Sequence, residues 1–224
     1  MSENKEVCAF DINKLDSEFS NLLFLKNDYK AAGDLLDVTS KSCAPDDYHK
    51  AVIIDLAGMF QLYCFRINKN LEVALQAQNL FEKAIKLNTK RNERIYYHMS
   101  LLMQEKEDMQ NAVMYIKKAV ELGDDKSSEM TDYYSVYLVL AADAENWEEA
   151  KKMTNILINR DKQFYFQLPP LLAAVKTLCH YGKWQVAEKF VSDVEGYRND
   201  ITGEKKVMFD HTKKILQSCS PTKT

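Results

Sequence analysis

Residues 93–123 read ERIYYHMSLLMQEKEDMQNAVMYIKKAVELG, and this stretch decides the fold. Apolar side chains recur at helical spacing on both sides of Glu107, which favours two helices joined by a tight turn. Asp108 is placed to accept hydrogen bonds from the free backbone N–H groups at the start of the second helix. Ala112, in the first turns of that helix, is small enough to let two helix axes approach closely. The stretch therefore predicts a pair of packed helices.

Similar pairs recur along the 224 residues of the chain. An aromatic residue or Met stands three positions before an alanine at Tyr29–Ala32, Met109–Ala112, Trp147–Ala150 and Trp184–Ala187, and Ala77 completes the series. These alanines are 45, 35, 38 and 37 residues apart, which is the range of two-helix repeat units. We therefore predict an all-α solenoid of about five antiparallel helix pairs with a C-terminal capping helix.

The predicted architecture is a single domain over residues 1–224. Its units are residues 11–45, 46–91, 92–126, 127–164 and 165–201, and the capping helix is 204–218. The helices within the units are predicted at 11–26 and 28–41, 47–67 and 71–87, 93–105 and 108–122, 128–144 and 147–159, and 168–181 and 184–195. Asp28, Asp108 and Asn146 are the predicted N-caps of the second helices in the first, third and fourth pairs. An ordinary compact helical bundle with alanines at similar intervals is the alternative architecture.

Composition narrows the class of protein. The chain is 46% hydrophobic and 28% charged with only 6 Gly and 4 Pro, which is typical of a soluble helical protein. Its net charge of −3 excludes the overall positive field on which general nucleic-acid binding depends. The longest apolar runs span about a dozen residues, whereas a bilayer span needs roughly 20. We expect no membrane partner.

The N-terminus and the cysteines bear on the compartment. Residues 1–6 have neither the basic nor the apolar region of a secretory signal. The five cysteines are odd in number and none is closely spaced with another, which favours reduced thiols. We therefore expect a cytoplasmic or nuclear protein.

The stretch 93–123 resembles the tetratricopeptide repeat (TPR) family. The resemblance rests on the residues that stand at the family's large, small, turn and alanine positions, which are Tyr96, Met99, Ser100, Met103, Glu107-Asp108-Met109, Ala112, Ile116 and Ala119, with Asp124 in place of the closing proline. The second unit shares the later positions Ala77, Phe81 and Ala84. The resemblance implies helix-turn-helix units whose first helices line a concave groove that binds a peptide or helix of another protein.

Transferred to this sequence, the resemblance places seven residues in a partner-binding groove: Asn21, Arg66, Lys69, Arg94, Tyr97, Gln104 and Lys176. Four of the seven are basic, which favours an acidic protein partner. Members of the family that clamp chaperone C-termini use Lys and Asn on successive first helices. Only Asn21 fits that pattern here, so a chaperone-tail clamp is disfavoured.

The sequence offers no motif for catalysis. Gly-rich phosphate loops, G-x-S-x-G, H-E-x-x-H and C-x-x-C are all absent from it. Cys179 and His180 are adjacent, but neighbours on a helix point about 100° apart and do not form a nucleophile and base. We therefore expect a non-catalytic scaffold or adaptor without a cofactor or a metal.

Three further features leave alternatives open. A basic stretch could contact nucleic acid, although a solvated helix end explains it better; it comprises Lys83, Lys86, Lys90, Arg91 and Arg94. An aromatic group could be core or an exposed partner anchor; it comprises Tyr133, Tyr134, Tyr137, Phe164, Tyr165 and Phe166. Ser220 precedes Pro221 and resembles a proline-directed phosphorylation site, with an ordinary polar tail as the alternative.

Overall fold

The computed structural model describes residues 11–41, 46–87, 90, 92–161, 164–197 and 201–219. Every regular element in these ranges is helical, which confirms the all-α prediction. The helices are α1 Ile12–Ser20, continued by a π-helical turn at Asn21–Leu25, α2 Tyr29–Lys41, α3 Asp47–Asn68, α4 Leu71–Lys86, α5 Asn92–Glu105, α6 Met109–Leu122, α7 Met130–Asp143, α8 Trp147–Arg160, a short 3₁₀ turn at Phe164–Phe166, α9 Leu168–His180, α10 Trp184–Tyr197 and α11 Gly203–Cys219. The sequence predicts the bounds of α2 to α11 to within two residues. It predicts one continuous helix over 11–26, where α1 passes into the π-helical turn, and it does not predict the 3₁₀ turn.

The chain divides into two compact units, residues 1–122 and residues 123–224. In the first unit, α3 packs along α4 and α5 along α6, while α4 also contacts α5 and the helices α1 and α2 contact α3. In the second unit, α7 packs on α8 and α9, and α9 also contacts α10 and α11. Each unit thus has its own set of packed helices.

One turn conformation recurs along the chain. The residue two positions before the start of a helix has a positive φ at Asn27, Lys69, Glu107, Glu145 and Gly182. In all five cases, the alanine five positions later donates its backbone N–H to the carbonyl of the residue that follows the positive-φ residue. Ala112, for example, donates to the Asp108 carbonyl at 2.9 Å. The left-handed residues are 42, 38, 38 and 37 residues apart. The repeated feature of this sequence is therefore a turn together with its alanine.

This turn corrects the assignment of the second alanine. In the second pair the N–H donor to Asn70 is Ala74, not Ala77. Ala74 and Ala77 are both buried on the same side of α4, and Leu71 stands where the other units have an aromatic residue or Met. The assignment of Ala77 to the series is wrong because the sequence alone gave nothing to choose between two buried alanines one turn apart. The other four alanines, Ala32, Ala112, Ala150 and Ala187, are fully buried as expected.

Hydrogen bonds at the turns explain why each helix stops and the next one starts. At three of them the backbone closes with the two bonds of a Schellman motif, for example Asp108 N–H to the Met103 carbonyl at 2.9 Å and Glu107 N–H to the Gln104 carbonyl at 3.0 Å. The same bonds recur at Glu145 and Gly182. The predicted caps are confirmed, since the side chains of Asp28, Asp108 and Asn146 accept backbone N–H bonds at 3.0, 3.2 and 3.4 Å.

Helix α3 passes a length and composition test for a membrane span, since its 22 residues contain an 18-residue window with a mean hydropathy of 1.2. The sequence expectation counted only uninterrupted apolar runs, whereas the window tolerates Asp55 and Gln61. Half of this window is buried inside the structure, against α4 and α5 among other elements. The core helix of a soluble protein meets the same test, so length and composition do not decide between the two settings.

Two cysteines of the second unit are joined. Cys179 in α9 and Cys219 at the end of α11 form a disulfide, with their Cα atoms 5.5 Å apart. The expectation of reduced thiols is wrong for this pair, because the packing of α11 on α9 brings together residues that lie 40 positions apart in sequence. Cys64 is free, and Cys8 and Cys43 lie outside the described residues.

Candidate partner-binding site

One half-buried side of α5 carries three of the residues that the sequence assigns to the groove. Arg94, Tyr97 and Gln104 lie along one side of the helix together with Leu101, because their positions differ by three or four residues. All four are half-buried, neither part of the core nor fully in solvent. This side of α5 is therefore a surface on which polar and apolar groups alternate.

At the C-terminal end of α5, one carboxylate holds two cations. Arg66 Nε donates to Glu105 Oε1 at 2.9 Å, and Lys69 Nζ lies 3.0 Å from Glu105 Oε2. The Glu105 side chain is 25% exposed, whereas that of Lys69 is 63% exposed. We call Arg66, Lys69 and Glu105 the cation triad. Two positive charges and one negative charge leave it with a net charge of +1.

The charges around the cation triad do not cancel it by direct contact. Lys106, the residue after Glu105, donates to the neutral amide oxygen of Gln78 at 3.0 Å. Glu72 and Glu107 are exposed, and neither forms an ion pair with a triad cation within 4.0 Å in the part of the chain that the structure describes. The excess positive charge of the triad is therefore available to solvent at Lys69.

Arg94 has a different environment at the other end of α5. Its guanidinium donates to both carboxylate oxygens of Asp16 in α1, one of them at 2.7 Å, and its Nε lies 3.7 Å from Asp55 in α3. Asp55 also contacts His98 Nδ1 at 2.7 Å, and both of these side chains are buried. Asp16, Asp55, Arg94 and His98 form a buried polar network that joins α1, α3 and α5. Arg94 is therefore bound within the fold.

The structure brings only part of the predicted groove together. Arg66, Lys69 and Gln104 cluster at one end of α5, because Gln104 immediately precedes Glu105. Arg94 is ten residues earlier, about 15 Å away along the helix. Asn21 is exposed in the π-helical turn after α1. Lys176 belongs to the second unit, where its Nζ lies 3.1 Å from Asp143 Oδ1.

Sequence reasoning missed the acidic partners of these cations. Glu105 and Asp16 gave no signal, because each pairs with a residue of a different helix far away in sequence. Asp55 did give one, since a carboxylate inside the apolar run AVIIDLAGMF must find a cation or a donor when the helix is buried. His98 and Arg94 supply that partner.

The basic stretch that suggested nucleic acid is divided by the fold. Lys83, Lys86 and Lys90 are exposed, whereas Arg94 belongs to the buried polar network. Arg91 lies outside the described residues. Three lysines therefore remain as a surface cluster among the described members of the stretch.

The aromatic group of the second unit is mainly core. Tyr133, Tyr134, Tyr137 and Phe164 are buried, which confirms the core interpretation for these four. Tyr165 is half-buried, with its ring stacked on Phe190 at a centroid distance of 4.4 Å and its hydroxyl donating to Asp193 at 3.0 Å. These contacts hold the 3₁₀ turn against α10.

The remaining candidates for chemistry do not form a site. Among the described residues, no group of three or more His, Cys, Asp and Glu side chains is arranged to hold a metal ion. Cys179 takes part in a disulfide, so its sulfur is not a thiolate beside His180. Ser220, the candidate phosphorylation site, lies outside the described residues.

Comparison of this chain with protein-family models, with curated proteins and with solved structures gives no match. The class of protein and its activity are therefore argued from the geometry above.

Proposed function

We propose that this protein is a non-catalytic adaptor built from TPR-like helix pairs, and that it binds an acidic segment of a partner protein. The recurring left-handed turn and the buried alanine after it support the repeat architecture. The binding surface comprises the half-buried side of α5 that carries Tyr97, Leu101 and Gln104, together with the C-terminal end of α3. It is smaller than the groove assigned from the sequence.

The cation triad carries the proposal. The other basic groove residues, Arg94 and Lys176, are matched by carboxylates of the same unit. Arg66 and Lys69 share one carboxylate, so they retain a positive charge that a partner carboxylate can satisfy. Lys69 is the exposed member and is the first to contact an incoming acid.

The neighbouring side chains would contribute the rest of the recognition. Leu101 offers half-buried apolar area one turn before Glu105, and Tyr97 offers more about one turn further along α5. Gln104 offers an amide that can donate and accept. The role of Arg94 is to fix α5 against α1, not to bind the partner. An acidic residue followed or preceded by an apolar one would fit this surface.

A pull-down with charge variants tests the proposal. The double variant Arg66→Gln, Lys69→Gln removes both triad cations, and the matched control Lys83→Gln, Lys86→Gln removes two exposed lysines of α4. The single variant Glu105→Gln releases both triad cations and raises the net charge of the triad from +1 to +2. Far-ultraviolet circular dichroism and thermal unfolding of each variant would establish that the fold is retained.

We expect the Arg66→Gln, Lys69→Gln variant to lose partner recovery while the control retains it. Glu105→Gln should tighten binding of the same partner roughly two- to fivefold, with a steeper dependence on salt, because an unmatched cation strengthens attraction to an acid. Equal recovery by all folded variants would refute the placement of the site.

A nucleic-acid partner is the second candidate, favoured only by the exposed cluster of Lys83, Lys86 and Lys90. The control variant tests it directly. Binding to RNA or DNA that the wild type shows at low salt and that Lys83→Gln, Lys86→Gln abolishes would favour this second function.

A further inference from the structure

Helix α11 is held shallowly along most of its length. Of its 17 residues only Phe209 and Thr212 are buried, and both lie in the middle of the helix. The hydroxyl of Thr212 bonds to the Met208 carbonyl of the same helix, so Phe209 is the main apolar anchor. In the last two turns, Ile215 and Leu216 are half-buried and Lys213 forms an ion pair with Glu195 at 2.6 Å.

The disulfide fixes the C-terminal end of α11. Cys219 is the last residue of the helix, and Cys179 is the second to last residue of α9. Both cysteines are half-buried and lie outside the fully buried core, so we expect small thiols and disulfides in solution to reach the bond. The bond closes a chain segment with a sequence separation of 40 residues.

The same end of α11 forms one wall of a groove. The groove lies between α10 and α11, has a volume of about 490 Å³ and is lined by residues that include Trp184, Glu188 and Val191 of α10 and Leu216 and Gln217 of α11. Leu216 and Gln217 are three and two residues before Cys219. A disulfide at Cys219 therefore restricts the positions of Leu216 and Gln217 in the groove.

We propose that Cys179 and Cys219 form a reversible redox latch, which fixes the last two turns of α11 when oxidised and releases them when reduced. In the dithiol form Phe209 keeps the first half of α11 in place, while residues 213–219 open more often and the groove between α10 and α11 changes shape. The latch is independent of the proposed binding surface on α3 and α5.

Exchange with glutathione balances the reaction. The thiolate of one cysteine attacks a sulfur of glutathione disulfide and expels one glutathione thiolate, which forms a mixed disulfide on the protein. The second cysteine thiolate attacks the protein sulfur of that mixed disulfide and expels the other glutathione. The two cysteines are oxidised by two electrons, one glutathione disulfide is reduced, and the two protons from the cysteines end on the two glutathione molecules. Excess glutathione reverses both steps.

The experiment uses the full chain in two buffers, one rich in glutathione disulfide and one rich in glutathione. Thiol alkylation with mass spectrometry reports the bond, and amide hydrogen exchange reports the opening of α11. We expect a Cys179–Cys219 linkage in the oxidising buffer and its loss in the reducing one. Exchange over residues 213–219 should be roughly 30-fold faster after reduction, near the lower end of what closing such a loop contributes. Exchange over 204–209 should change much less.

Two variants complete the test. Cys219→Ser should show the fast exchange over 213–218 in both buffers, while the matched variant Cys64→Ser, which changes the free cysteine of α3, should respond to the buffers as the wild type does. Alkylation of both cysteines in both buffers would overturn the proposal, as would a bond that excess glutathione leaves intact. Equal exchange rates in the two wild-type forms would also overturn it.

Discussion

Arg94 of α5 and Asp16 of α1 are 78 residues apart in the sequence and are joined by two hydrogen bonds in the structure. Both side chains are only 16% exposed. Asp55, which is nearly fully buried, lies on the other side of the same guanidinium. One cation therefore contacts two carboxylates and adds a polar link between α1, α3 and α5 to the apolar packing of α1.

We expect Arg94→Ala to destabilise the first unit by about 2 to 4 kcal/mol, because it removes the cation that contacts both Asp16 and Asp55, of which Asp55 then keeps His98 as its partner. Urea unfolding followed by circular dichroism measures the change. Arg94→Lys should recover only part of the loss, since an ammonium cannot donate to both Asp16 oxygens as the planar guanidinium does.

The control for that prediction is Lys30→Ala, which removes the exposed ion pair with Asp34. It should leave the unfolding midpoint nearly unchanged. A loss for Lys30→Ala as large as for Arg94→Ala would show that the burial of the network is not the cause.

Two glycines inside helices should respond to alanine in opposite directions. A Cβ at Gly58 of α3 would lie 2.5 Å from Phe81 Cε1, and Phe81 is fully buried in α4. We expect Gly58→Ala to cost about 1 to 3 kcal/mol through overpacking, measured by chemical unfolding.

A Cβ at Gly196 of α10 would have no heavy atom within 4 Å. Gly196→Ala should stabilise its helix by about 0.5 to 1 kcal/mol through backbone entropy. A stabilising Gly58→Ala would contradict the close packing of α3 and α4.

The recurring turn allows substitutions to glycine and from glycine to be compared at the same position. Glu107 and Glu145 adopt φ values of 61° and 53°, which burden a residue that has a Cβ. We expect Glu107→Gly and Glu145→Gly to raise the thermal midpoint, with a gain of about 0.5 to 1 kcal/mol each. Gly182 has φ +68° and open space around it, so Gly182→Ala should cost about 1 kcal/mol through backbone conformation alone. A loss of stability in Glu107→Gly or Glu145→Gly, or a gain in Gly182→Ala, would contradict a turn conformation that the helix pairs share.

Arg160 should control the segment that leads into α7. At the end of α8, its guanidinium donates to the backbone carbonyls of Asp125 and Ser127, and its Nε donates to Thr131 Oγ1 at 3.2 Å. Arg160→Ala should expose residues 123–129 to protease and cost the second unit about 1 to 3 kcal/mol, because the carbonyls lose a charged donor. Limited proteolysis measures the first effect. Lys152→Ala, which changes an exposed cation of the same helix, should leave the cleavage rate unchanged.

The sequence predicted what depends on neighbouring residues. Helix bounds follow from apolar periodicity, and the caps at Asp28, Asp108 and Asn146 follow from the side chains that can bond to the next turn of backbone. It failed where distant residues meet. No local pattern links Asp16 to Arg94 or Cys179 to Cys219, and Ala74 differs from Ala77 only in its distance from a turn whose left-handed residue is a lysine.

The candidate site shows the same division. The sequence placed Arg66 and Gln104 on the first helices of their pairs and Lys69 just after one of them, and the structure brings the three together at one end of α5. The sequence prediction treated the four basic groove residues as equivalent. The positive charge that each of them can offer to a partner depends on the carboxylates that contact it. Asp16, Asp143 and Glu105 decide which of the four keep a positive charge for another molecule.

Hydrogen exchange of the full chain with and without the partner recovered by the pull-down tests the central claim most directly. We expect protection on binding over the end of α3 and along α5, residues 62–69 and 92–105, and no protection in the variant Arg66→Gln, Lys69→Gln. Protection confined to the outer side of α4 or to residues 123–224 would contradict the proposed site.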